Sequence, residues 1–494
     1  MQQADIDTLR SVVIPPQGHI IDGQRVLSQN GQMLDVISPI DGSILTQISA
    51  GAPDDMNAAI KSARTAFDSG VWSDMAPNDR KKILLKWADL VEAEALKIAV
   101  TGVRDNGTEI SMALKGEPKS AVGTIRFYAE SIDKIYGELA PTAPDRLGLI
   151  HKDPIGVVGI IVPWNFPMMI GAWKLAPALA AGNTVVLKPA EVASLSLLRL
   201  AELGLEAGMP KGVLNVVTGK GRVVGETSAL SMDVDVIVFT GSGATGRRLL
   251  EYSARSNLKR VYLELGGKSP QIVFNDMPDF ALAAKTAASS IFRNSGQVCI
   301  AASRLYVQDD VHDEFVDEVS KHAQALKVGD PLNLENNIGA VTSVDQLEQN
   351  LRFVAGAKED GAKLETGGSR LHKQTGGYYM EPTIFSGVKQ SSDLIQKEVF
   401  GPVLAVSSFK DEDEALRKAN DTDFGLSSAI WTSNLSRAHR MIRQIKAGVV
   451  HVNTYGGASV SMPLGGVKQS GNGHDKSLHA LDKYVDLKTA WIAL

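Results

Sequence analysis

Short β-branched runs alternate along this chain with segments of helical period, and no other feature restricts its fold as strongly. The runs fall at residues 155–162, 184–187, 213–217, 235–239 and 260–263. The stretches between them repeat apolar residues at helix spacing and end in Gly or Pro, as at 195–208, which is followed by Met209 and Pro210. Strand, helix and strand in this rhythm predict βαβ units around a parallel sheet, a doubly wound α/β domain. A second series opens near Ile272, runs through a helix predicted over 278–294 and a strand at 305–307, and continues with the amphipathic stripe Val311, Phe315, Val319, Ala323. Strands at 403–409, 428–431 and 449–452 complete it, so a second α/β domain is expected. The 494 residues give room for roughly three structural units, and no repeat, low-complexity tract or Gly/Ser-rich linker separates them. The last 20 residues alternate again through Tyr484, Val485, Leu487, Thr489 and Trp491 with no helix to cover them. Two placements stand open for this edge strand: a small extra sheet with 127–139 that pairs across subunits, or closure of its own domain's sheet.

Charge and composition remove several function classes. Fifty-one Lys and Arg against 56 Asp and Glu leave a net charge of −5 with no basic block, so nucleic acid is not expected as a partner. The longest apolar stretch, 155–164, is half a membrane span, and the N-terminus MQQADIDTLRSVV lacks the pattern of a secretion signal. A single cysteine, Cys299, allows no internal disulfide, and a cytoplasmic, membrane-free protein is the expectation. Nine histidines form no HExxH-type cluster and one cysteine forms no CxxC, so no metal site is expected.

Four local patterns carry chemistry. Residues 235–246 read DVIVFTGSGATG, a strand running into a glycine turn with a helix predicted over 247–255. Glycines let the backbone approach a pyrophosphate, and the helix start offers unpaired N–H groups; a βα turn without a ligand has the same appearance. An acid about 20 residues further on is expected at a ribose, and Glu264 stands there. Lys188 and Glu191, just after the strand at 184–187, compete for the same ribose or form a solvated turn. Cys299, in the loop SGQVCIAAS, is either a small buried hydrophobe or a nucleophile, and no histidine partner is visible for it. Asn165, after the strand at 155–162, either caps a helix or donates to developing negative charge.

Seven motifs in register, PWNFP (163–167), KPAE (188–191), FTGSGATG (239–246), LELGGKSP (263–270), GQVC (296–299), EVFGPV (398–403) and PLGGVKQSG (463–471), resemble the NAD(P)-dependent aldehyde dehydrogenases over nearly the whole chain. The resemblance implies a Rossmann-like NAD-binding domain at 1–126 and 146–264, a catalytic domain at 265–462, and a small β oligomerisation element at 127–145 and 475–494. It implies Cys299 as the nucleophile, Asn165 in the oxyanion hole and Glu264 as the base that activates water, with Lys174 and Asp475 in a proton relay. Glu191 with Lys188 then takes the adenosine ribose, Glu398 the nicotinamide ribose beside Phe400, and Ser242 and Trp164 the pyrophosphate. Ile161, Gly221, Gly225, Phe239, Thr240, Gly241, Gly246 and Leu265 complete the implied cofactor set. A carboxylate at Glu191 favours NAD and disfavours NADP.

The implied product is a free acid, formed through a thiohemiacetal and a thioester, because acyl-transferring branches of the family usually lack the carboxylate at Glu264. Alternatives are a CoA-acylating dehydrogenase, a Cys-based thioesterase, or a non-catalytic structural relative. The segment KQSGNGHDKSLHAL (468–481) resembles bacterial dehydrogenases of polyamine catabolism, although His474 stands where relatives often carry Arg. The implied substrate cavity, Phe166, Met169, Ile170, Trp173, Arg293, Val298, Ile300 and Leu464 with the small Gly457 and Ala458, holds no acid to pair a cation. Medium-chain aliphatic, arylacetaldehyde and aminobutyraldehyde-derived substrates therefore rank level, and a homo-oligomer, dimer or tetramer, is expected.

Overall fold

The computed structural model describes residues 2–456 and 459–494. Its first sheet has seven strands in the spatial order Arg260–Glu264, Val236–Thr240, Val157–Ile161, Thr184–Lys188, Leu214–Val216, His19–Ile21, Gln24–Val26. The first five run parallel, and Val157–Ile161, Thr184–Lys188 and Val236–Thr240 are buried at every position. Alternate residues serve opposite faces, as the period of a strand demands. Val157, Ile161, Ile237 and Phe239 pack in one apolar cluster with the helix Pro53–Asp68, while Val158, Ile160, Val236 and Val238 join another with the helices Pro167–Ala180 and Leu195–Glu206. From Val157–Ile161 the chain steps outward twice, then returns to lay Val236–Thr240 on the opposite side. That reversal opens a crevice beyond the strand ends at Ile161 and Thr240, where open α/β sheets hold their ligands. The N-terminal hairpin extends the sheet antiparallel, through Ile20 against Val216. Its strands of three residues are too short to carry a periodic signal.

The second sheet follows the order Lys363–Thr366, Thr383–Ser386, Val403–Phe409, Arg304–Gln308, Pro270–Val273, Ser427–Trp431, Val449–Val452, parallel except at its first edge. Five of these strands stand where the sequence pattern predicts them. The helix predicted over 278–294 is Phe280–Phe292, capped by Asp279, whose carboxylate accepts from the Leu282 N–H at 2.9 Å.

The C-terminal alternation forms a separate small sheet and closes neither large one. Val485–Ala493 pairs antiparallel with Arg146–Pro154 along nine residues, and Glu138–Ala140 lies on the other side. The boundary drawn at 145/146 cuts through this sheet, because its middle strand belongs to the segment assigned to the nucleotide domain. Residues 127–129 are the end of the helix Ser120–Ala129, held down by buried Tyr128, whose hydroxyl donates to the Ser477 carbonyl at 2.8 Å. Tyr136, Leu139, Leu487 and Trp491 on or beside this sheet are each more than 60% exposed. No helix among the described residues is long and apolar enough to cross a membrane.

Candidate active site

The loop after Phe280–Phe292 carries the half-buried thiol of Cys299. Asn294 and Ser295 both take left-handed backbone angles, φ 50° and 51°, a conformation that persists only where surroundings hold it. The restraints are visible. The Glu109 carboxylate accepts from the Asn294 N–H at 3.0 Å, the Thr108 hydroxyl donates to the Asn294 side-chain oxygen at 2.8 Å, and the Ser295 hydroxyl donates to the Gly339 carbonyl at 2.9 Å. Gly296 has φ 73°, and a Cβ there would stand 2.1 Å from the Gly401 carbonyl oxygen, so only glycine fits. Removal from water, with the Glu398 and Glu264 carboxyls adding to it, pushes the Cys299 thiol up to about 12.

Asn165 follows the strand Val157–Ile161 and sits just before the helix Pro167–Ala180. Its side-chain amide donates to the Gln297 carbonyl at 2.8 Å, and the Asn294 amide donates to its backbone carbonyl at 3.3 Å. An amide carries two N–H donors, and only one is committed here. The cap of that helix comes from elsewhere. Glu117 accepts from the Met168 and Met169 N–H groups at 2.7 and 2.9 Å. Burial pushes the Glu117 carboxyl up to about 8.

Glu264 ends the strand Arg260–Glu264 with its carboxyl buried, and neither side-chain oxygen has a hydrogen-bond partner among the described residues. Burial first, then the nearby charge of Asp475, raises its pKa well above the carboxylate range, while Lys174 and Lys483 oppose the shift. Asp475 is bridged by the ammonium groups of Lys174 and Lys483, the latter at 2.6 Å, and is held ionised by them. The family resemblance implies Lys174 and Asp475 for a proton relay; Lys483, eight residues beyond Asp475, is not among the residues it implies.

Two cavities meet the crevice of the first sheet. One, of about 320 Å³, is walled by Ile161, Glu191, Gly221 and Gly225 among others. Glu191 is salt-bridged to Lys188 at 2.8 Å, which with Lys220 holds its carboxylate below the usual range against burial. The second, of about 270 Å³, is walled by Trp164, Asn165, Thr240, Gly241, Ser242, Leu265, Glu398, Phe400 and Cys299. Here the rings of Trp164 and Phe400 meet edge to face at 5.3 Å. Glu398 accepts from the Gly267 N–H at 3.0 Å, and a Cβ on Gly266 would collide with its carboxylate. Gln346 and Gln349 also line this cavity and were not anticipated.

Three residues assigned to the cofactor stand behind these walls. Phe239 is buried beneath Gly241, where a Cβ would lie 2.4 Å from its ring. Gly246 brings its helix against Leu263 and Leu265, and Lys188 acts through Glu191. The helix predicted over 247–255 begins earlier, at Gly243, because the Ser242 hydroxyl caps it by accepting from the Thr245 N–H at 3.3 Å. Gly246 therefore lies in the first helical turn and not in the loop. The two cavities, the paired Glu191 at one end and the buried Thr240 hydroxyl at the other, which has no partner among the described residues, fit an extended dinucleotide.

A third cavity, of about 350 Å³, opens on the other side of Cys299. Phe166, Met169, Ile170, Trp173, Arg293, Val298, Ile300 and Leu464 all line it. Gly457 and Ala458 lie outside the described residues. Met112, Ser120, Thr124 and His451 also contribute to the wall from segments without a recognisable motif, and Lys476 joins them from the segment 468–481. Among the described residues no group of three or more His, Cys, Asp or Glu is placed to hold a metal.

Comparison with known proteins agrees with this geometry. The profile of the aldehyde dehydrogenase family matches residues 26–490. The NADP/NAD-dependent aldehyde dehydrogenase PuuC of Escherichia coli K12 is 44% identical over 475 residues, 96% of this chain and 95% of the relative. An indole-3-acetaldehyde dehydrogenase crystallised with NAD+ superposes with a TM-score of 0.98 at 46% identity, covering 100% of both chains. A gamma-glutamyl-gamma-aminobutyraldehyde dehydrogenase from Burkholderia cenocepacia J2315 gives a TM-score of 0.98 at 45% identity, again over 100% of both. The chain belongs to the aldehyde dehydrogenase family and is an NAD-dependent oxidoreductase acting on aldehydes.

Proposed function

We propose that Cys299 is the nucleophile, Asn165 the oxyanion donor and Glu264 the base of a reaction that converts an aldehyde to the free carboxylic acid. One observation carries this reading above the rest: Cys299 lines both the 270 Å³ and the 350 Å³ cavities, so one residue adjoins the place proposed for the dinucleotide and the place proposed for the aldehyde. The thiol loses its proton and attacks the carbonyl carbon, giving a thiohemiacetal whose oxygen receives the uncommitted Asn165 N–H. Bound NAD supplies the hydride acceptor. A thioester on Cys299 remains, and water attacks it as Glu264 takes the proton, releasing the acid and the thiol. The buried Lys174–Asp475–Lys483 group lies within electrostatic reach of Glu264, where Asp475 adds to the upward shift that burial causes and the two lysines oppose it. Glu191 at the adenosine ribose selects NAD over NADP, since a carboxylate there repels a 2′-phosphate.

The exposed Tyr136, Leu139, Leu487 and Trp491 support a homo-oligomer assembled through the small sheet, as a dimer or tetramer. The division into a nucleotide-binding unit, a catalytic unit and an oligomerisation element is drawn on the two seven-stranded sheets and the three-stranded one, with 146–154 counted in the last. A cytoplasmic location is proposed from the single cysteine, which needs no oxidising compartment. The deciding experiment is Cys299→Ala: NADH production from aldehydes is lost while NAD still binds by calorimetry. Dehydrogenase turnover in that variant would overturn the assignment.

A further inference from the structure

We infer that the 350 Å³ cavity selects aldehydes bearing a carboxylate at the end remote from the reacting carbon, with the Arg293 guanidinium as its receptor. This selection rests on Cys299 being the nucleophile, and it narrows the substrate class for the same site.

The wall is apolar along most of its length, with Ile170 and Trp173 on one helix and Phe166 just before it, but its charges are all of one sign. Arg293 and Lys476 line it, and no Asp or Glu does so among the described residues. The two residues outside that description, Gly457 and Ala458, carry no charge. Arg293 forms no hydrogen bond or ion pair among the described residues, and its Nε is shielded from water without an acceptor. Arg293 as a whole is half-buried, and a guanidinium holds five N–H donors and does not deprotonate, so one facing a cavity without partners favours an anion that meets its fork. Room has been kept for it. Gly456 has φ 75°, and a Cβ there would lie 3.2 Å from a guanidinium nitrogen.

The surrounding groups leave this charge uncompensated. Glu109, a carboxyl within electrostatic range of Arg293, lies outside the cavity wall and is committed to the Asn294 N–H at 3.0 Å. His451 holds the Ser428 carbonyl through Nδ1 at 3.0 Å, and burial with the nearby Arg293 keeps its ring neutral. Lys476 places a second positive charge on the same wall, 5.6 Å from the centre of the Trp173 ring. A free amino-aldehyde would bring its ammonium against these cations with no carboxylate to receive it. An ω-oxo acid with an apolar spacer satisfies both the hydrophobic walls and the guanidinium.

The test compares hexanal, adipate semialdehyde and a quaternary-ammonium butanal at saturating NAD. Adipate semialdehyde should exceed hexanal in kcat/KM by about tenfold or more, through KM, and the cationic aldehyde should fall below hexanal. Arg293→Met should bring the ratio of adipate semialdehyde to hexanal close to one, and Arg293→Lys should restore part of it. Hexanal matching or exceeding adipate semialdehyde in the unaltered enzyme would overturn the proposal, as would an unchanged ratio in Arg293→Met. Failure to oxidise any of the three would strike the assigned activity instead of its selectivity.

Discussion

The Asn165 amide donates to the Gln297 carbonyl at 2.8 Å, joining the segment after the strand Val157–Ile161 to the loop that carries Cys299. The two groups proposed to act on one carbonyl carbon are thereby held in a fixed relation. Asn165→Ala removes both the tie and the donor. We expect kcat to fall roughly 10²–10³-fold, the loss typical of a missing oxyanion donor, with a far smaller change in the KM for NAD. Steady-state kinetics settles it, and a kcat within a factor of a few of the unaltered enzyme would remove Asn165 from the chemistry.

The Cys299 thiol, pushed up to about 12, is protonated at neutral pH in the cofactor-free protein. Alkylation by iodoacetamide requires the thiolate, so its rate should climb about tenfold per pH unit from about pH 7 to about pH 10 without levelling. Mass spectrometry of the modified protein at successive times measures this. A plateau below about pH 9 would mean that the resting thiol is already activated.

Glu264→Gln keeps the shape of the base and removes its ability to accept a proton. One equivalent of NADH per site should appear in a burst, followed by arrest, with the acyl group detectable on Cys299 by intact mass. In the unaltered enzyme, burial and Asp475 hold the Glu264 carboxyl protonated to higher pH than usual, and only its ionised form acts as base. Deacylation should therefore accelerate as pH rises through that titration. Sustained turnover by the Gln variant would contradict the role.

Glu117, raised by burial from 4.5 to about 8, leaves a different signature. The folded protein keeps its proton in a range where the unfolded chain has lost it, so stability falls as pH rises between about 5 and about 8 and is flat beyond. Glu117→Gln should flatten this part of the curve, read as a smaller fall in Tm between those two pH values. An identical pH dependence in both proteins would show that Glu117 titrates normally.

What the sequence discloses here follows the distance over which each feature is encoded. The strands Val157–Ile161 and Val236–Thr240 and the loop around Cys299 announce themselves within a dozen residues, because burial on both faces and glycine turns leave local marks. The Glu109 contact to Asn294 spans 185 residues, and Lys483 reaches Asp475 only because a turn folds back, so neither has a local pattern to read. The hairpin His19–Val26 is silent for another reason: its strands have three residues each, too few for an alternation to show. Arg293 could be placed in the cavity from its position before Cys299, but its lack of partners is a property of the assembled wall alone.

The wall shared by the two cavities has a consequence for the order of events. Cys299 and Ile170 are the residues common to both, and the rest of each lining is its own. With the dinucleotide proposed for one cavity and the aldehyde for the other, either guest can be seated while its neighbour's place is empty, so an order of arrival seen in kinetics would report a change that one guest induces at those two residues.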